Sequence, residues 1–79
     1  MDKKLYGTDP VSKRLELTEK EYRTLIELLH GKSQKEIALE EGVTFAAVSA
    51  RKTRAIRRNG FGNEKEFFIH FNELLNSQI

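Results

Sequence analysis

The sequence predicts an all-α domain, a bundle of four helices behind an N-terminal arm, and three observations predict it. Apolar residues recur at helical spacing, and no segment sustains the period-two alternation of a strand. Helix-start signals of the form Ser/Thr/Asn-x-x-Glu stand at Thr18/Glu21, Ser33/Glu36 and Asn63/Glu66. Gly31 and Gly42 fall between the helical segments, where the chain must reverse. The chain has 79 residues, enough for one domain. A domain of this size buries only about 60% of its unfolded surface and is marginal by itself.

Residues 1–16 contain Pro10 together with Gly7, Thr8 and Asp9, which is turn chemistry, and are read as an extended arm or tether. Lys3, Lys4, Lys13 and Arg14 make the arm basic enough to touch phosphates or to act as a solubilising tail. The domain proper is residues 17–79. Its first helix, 18–30, is capped by Thr18, and Leu17 is placed to staple onto Tyr22. Tyr22, Leu25, Ile26 and Leu29 form its apolar face. The second helix, 33–41, starts at Ser33 and turns Ile37 and Ala38 inward. Gly42 and Val43 make the next turn, with Val43 expected to fill it. The third helix, 44–58, is capped by Thr44, although Ala47 cannot complete the reciprocal box, and Val48, Ala55 and Ile56 give it a thin apolar stripe. The fourth, 63–75, carries Phe67, Phe71 and Leu74 at core spacing.

Charge is unevenly placed. Residues 44–62 hold Arg51, Lys52, Arg54, Arg57 and Arg58 and no acidic residue, whereas the whole chain is only +2. Such a run is either a solvated face or a surface for an anion. The run coincides with the second helix of a helix-turn-helix. In "KEIALEEGVTFAAV", Ala38 is small where the two helices cross, Gly42 takes the turn, and Val43 and Val48 pack one helix on the other. The 44–58 helix is then free to enter a major groove. Both features point to double-stranded DNA as the partner. The absence of cysteine excludes a disulfide framework and a thiolate metal site. No apolar run nears the roughly 20 residues of a membrane span, and no signal-peptide core is present. A soluble, cytoplasmic protein without membrane association is expected.

The stretch "LTEKEYRTLIELLHGKSQKEIA" resembles the start of LuxR/GerE-type DNA-binding domains, whose pattern is L-T-x-R-E, an apolar run, then G-x-S-x-K-E-I-A. The resemblance continues without a gap through "GVTFAAVSARKTRAIRR" to "NEKEF" and covers about residues 17–71. It implies a four-helix transcription-regulator domain whose third helix reads DNA and whose fourth serves dimerisation. The chain departs from the pattern at four places. Glu41 replaces a Leu, Ala47 a Thr, Arg51 a His and Asn59 a Leu. Glu41 is expected to swing outward while Leu39 or Ala38 covers the core, and Asn59 to weaken the end of its helix. The DNA-reading region of bacterial sigma factors shares the L-T-x-x-E opening and the Ala55, Arg57, Arg58 ending but matches "NEKEF" less well.

The resemblance assigns Ser49, Ala50 and Thr53 to the groove-facing side, and helical spacing adds Ala46 to the same face. Short hydroxyls serve several bases, and an Ala methyl suits a thymine methyl. Arg51, Arg54, Arg57 and Arg58 are the phosphate candidates, Arg51 also being able to reach a guanine edge. Lys35 and Thr44, near helix N-termini, join them. Lys52 is read as merely solvated and Phe45 as a core filler. Phe68, Ile69 and Leu75 lie off the core face of the 63–75 helix, which suggests a homodimer through that helix. RNA polymerase or another regulator is a further candidate partner. The alternative to a DNA reader is a protein-interaction module that uses the same helix. Catalysis is not expected: His30 and His70 lack zinc spacing, no phosphate loop exists, and no cofactor is implied. The initial Met and the lack of a receiver or ligand-binding segment are read as a stand-alone regulator, with the excised C-terminal domain of a larger regulator as the alternative.

Overall fold

The computed structural model describes Tyr6, Gly7 and residues 9–77. They form five helices: α1 (Pro10–Leu15), α2 (Glu19–Leu29), α3 (Gln34–Glu41), α4 (Phe45–Arg58) and α5 (Glu64–Asn76). No strand occurs among the described residues beyond a single antiparallel bridge between Tyr6 and Thr18. No helix among them is long and apolar enough to cross a membrane.

The capping signals act where the sequence puts them. Thr18 Oγ1 accepts from the Glu21 N–H at 3.1 Å while a Glu21 carboxylate oxygen accepts from the Thr18 N–H at 2.9 Å, and Ser33 and Glu36 repeat the exchange. Thr44 caps α4 alone, accepting from the Ala47 N–H at 3.0 Å, and Asn63 caps α5 from its Oδ1 at 3.1 Å. Each satisfies an orphan donor at a helix start and contributes about 1 kcal/mol. Gly42 ends α3 at φ 71°, and the following Val43 N–H returns to the Ala38 carbonyl at 3.0 Å. That left-handed closure turns the chain directly into α4.

The arm differs from its expectation, because residues 10–15 are a helix and part of the core. Asp9 caps α1 by accepting from the Ser12 N–H at 2.8 Å, and Pro10 takes the first helical position, where its missing N–H costs nothing. Val11, Ser12 and Leu15 are buried. In sequence Asp-Pro reads as turn chemistry, yet it is equally a helix start, and six residues are too few to show periodicity. Lys3 and Lys4 lie outside the described residues.

The main core joins Val11, Leu15 and Leu17 to Leu25 of α2, Ala55 and Ile56 of α4, and Phe67 and Phe71 of α5. Phe67 and Phe71 stack at 5.8 Å, and Tyr22 meets Phe71 edge-on at 6.2 Å. A second, smaller core of Ile37, Ala38 and Val48 seats α3 on α4, and the half-buried Leu28 packs against both cores. Ala38 thus closes the helix crossing. Val43, expected to fill the turn, is instead 38% exposed, and Leu39 is 75% exposed. Phe45, expected in the core, is 55% exposed: as the first residue of α4 it precedes the turn at which Val48 makes the inward contact.

Candidate nucleic-acid interface

Helix α4 has two sides. Val48, Ala55 and Ile56 face the cores. At 100° per residue the opposite side is headed by Ala46, Ala50, Thr53 and Arg57. Ala46, Arg54 and Arg57 are exposed, while Ser49, Ala50 and Thr53 are half-buried. The four base-reading candidates thus lie on the outer side of α4 or its shoulder, and all of them are short.

The five basic residues of the run divide by what holds them. Arg58 Nη1 and Nη2 donate to the two carboxylate oxygens of Glu21, each at 2.7 Å, and Nη1 also donates to the Glu16 carbonyl at 2.7 Å. The Arg58 side chain is 17% exposed and that of Glu21 only 5%. Tyr6 lies beneath the guanidinium, 5.8 Å from its ring centroid. The hydrogen bond to Glu21, against the opposing effect of burial, raises the Arg58 pKa above its ordinary value. Arg51 Nη1 donates to Thr24 Oγ1 at 2.9 Å and to Glu41 at 3.0 Å. Arg51 and Arg58 are seven residues apart, two turns along one flank of α4, and they meet Thr24 and Glu21 on α2 in the opposite order. They fasten α4 to α2, so neither is presented to a phosphate as expected. Lys52, read as solvated, pairs with Glu64 of α5 at 3.0 Å, and its side chain is 12% exposed.

Arg54 and Arg57 remain. Among the described residues neither has a hydrogen bond or ion pair for its guanidinium. Lys35, on the first turn of α3, is exposed as well. Thr44 is exposed, with its hydroxyl already engaged in capping. The first turns of α2, α3 and α5 carry glutamates, whereas that of α4 has none. Its positive helix end is therefore not neutralised from within.

Two departures from the resembled pattern compensate each other, since Glu41 and Arg51 are ion-paired and Glu41 is not left alone in an apolar site. Asn59, expected to weaken the end of its helix, donates from its side chain to the Ala55 carbonyl at 2.8 Å. The expected dimer face on α5 is narrower than the sequence suggests. Phe68 and Leu75 are half-buried against the main core, and Ile69 alone of the three is exposed, at 52%.

An open cleft of about 590 Å³ between the N-terminal segment and α2 is lined by Tyr6, Asp9, Glu19, Tyr22, Arg23 and Glu27, among others. Its carboxylates make it unsuited to phosphate. No cluster of three or more potential metal ligands occurs among the described residues. No protein-family model, curated protein or solved structure matches the chain.

Proposed function

We propose that this chain is a sequence-specific double-stranded DNA-binding transcription regulator of the LuxR/GerE kind, with α4 lying in the major groove. The observation that carries the reading is the pair of guanidiniums, Arg54 and Arg57, without a partner among the described residues, beside a strip of short side chains on the outer face of α4. A helix entering a groove needs small or hydrogen-bonding residues toward the bases and cations toward the phosphates. Ala46, Ser49, Ala50 and Thr53 are assigned to the bases. Arg54, Arg57 and Lys35 are assigned to phosphates, with Thr44 at the acid-free helix end. Arg51 and Arg58 leave the phosphate set because their guanidiniums are engaged by α2.

A homodimer is part of the proposal. Ile69 supplies the exposed apolar centre on α5, and Phe68 and Leu75 form its half-buried margin. Two copies of α4 would then read half-sites about 34 Å apart. A second reading, a protein-interaction module, draws on the exposure of Leu39, Val43, Phe45 and Ile69. Fluorescence anisotropy of a labelled duplex separates the two. The double variant Arg54→Ala/Arg57→Ala should lose DNA affinity while keeping its helical circular dichroism. No duplex binding by the folded wild type would favour the module, and equal binding by wild type and variant would remove Arg54 and Arg57 from the phosphate set.

A further inference from the structure

Phe45 is the largest apolar side chain exposed on α4, and it stands at the leading turn of the helix. It heads the row Phe45, Ser49, Thr53, whose members are four residues apart and therefore neighbours on the helix surface. Ala46 heads the adjacent row with Ala50. The two rows together carry every residue assigned to the bases. A ring 55% exposed contributes little to the core, and in the leading turn of α4 it is open to whatever meets this end of the helix.

The surroundings favour DNA over an apolar protein surface. No acidic residue lies in the first turn of α4, and Arg54 and Arg57, without a partner among the described residues, follow two to three turns later on the same helix. Within a major groove an apolar ring has one matching feature among the bases, the C5 methyl of thymine. We propose that Phe45 is a specificity determinant that packs on a thymine methyl, so that the bound sequence carries thymine where the leading turn of α4 meets the groove. This inference rests on the DNA-reading proposal above.

The test keeps the two separable. A site is selected from a random-sequence duplex pool, and each of its thymines is then replaced in turn by deoxyuridine, which pairs identically and lacks only the methyl. Wild-type protein should lose about fourfold in affinity for each methyl that Phe45 buries. The Phe45→Ala variant, shown folded by circular dichroism, should not distinguish thymine from uracil at those positions. Wild-type protein that binds the duplex but is indifferent to every replacement would overturn the inference and leave the DNA reading standing. So would a Phe45→Ala variant that keeps the same discrimination, which would assign the methyl contact to another residue, or one that binds DNA unchanged and loses only a protein partner. No duplex binding at low salt would sink both proposals.

Discussion

Replacing Arg58 with Ala removes a guanidinium that makes three hydrogen bonds of 2.7 Å, two to Glu21 and one to the Glu16 carbonyl. What remains is a Glu21 carboxylate whose side chain is 5% exposed. Breaking a buried pair from one side costs about 3–5 kcal/mol, because the surviving charge loses the cation that offsets its desolvation. Here the lower end applies: Arg58 is partly open to water, and Glu21 keeps the Thr18 N–H at 2.9 Å. A loss of about 3 kcal/mol is a quarter or more of the roughly 4–12 kcal/mol that a domain of this length holds. At about 4–8 °C per kcal/mol it should lower the Tm by about 12–24 °C in a thermal scan followed by circular dichroism. Arg57→Ala, one residue earlier on an exposed face, should stay within about 0.5 kcal/mol of wild type. In a double-mutant cycle, Glu21→Ala with Arg58→Ala should cost less than the sum of the single changes, since both single changes remove the same ion pair. An Arg58→Ala variant as stable as Arg57→Ala would refute the claim that Arg58 fastens α4 to α2.

Three further outcomes are expected. Gly42→Ala places a Cβ where nothing lies within 4 Å, so its cost is the left-handed backbone alone, about 1–2 kcal/mol by urea titration, and Gly42→Asn should cost less. Burial, and next the Asp9 charge, raise the Tyr22 pKa above 10.0. The folded state therefore holds that proton longer than the unfolded chain, and the stability from Tyr22 is whole below about pH 10 and lost as pH rises through the folded value. Denaturant titrations of wild type and Tyr22→Phe should diverge only above pH 10, with wild type falling more steeply. If the proposed homodimer forms through α5, Ile69→Glu, at an exposed position, should keep the helical circular dichroism while moving the sedimentation profile from dimer to monomer.

The helix starts were legible in the sequence because a cap is local. Thr18, Ser33, Thr44 and Asn63 each accept from an N–H three residues on, and that chemistry fits within four residues. Core positions at helical spacing, such as Leu25, Ile37, Phe67 and Phe71, were legible for the same reason. Helix α1 was not, because it spans six residues and its Asp-Pro start reads equally as a turn. The basic run was visible as a run, but its division was not. Whether Arg57 or Arg58 is free depends on which of them faces Glu21, 37 residues away in sequence. The seven-residue spacing of Arg51 and Arg58 was the available hint, since it puts both on one flank. The exposure of Phe45 is not legible in sequence, because hydrophobicity alone does not say whether the first residue of a helix lies inside or outside the turn that precedes it.

The most direct test of the central claim is the salt dependence of duplex DNA binding, measured by anisotropy over a series of salt concentrations. Each phosphate neutralised contributes about −0.9 to the slope of log affinity against log salt. With Lys35, Arg54 and Arg57 as the contacts, the account predicts about −2.7 for each protomer, falling to about −0.9 in Arg54→Ala/Arg57→Ala. A flat salt response, or a slope the double variant leaves unchanged, would contradict the assignment of α4 as the DNA-reading helix.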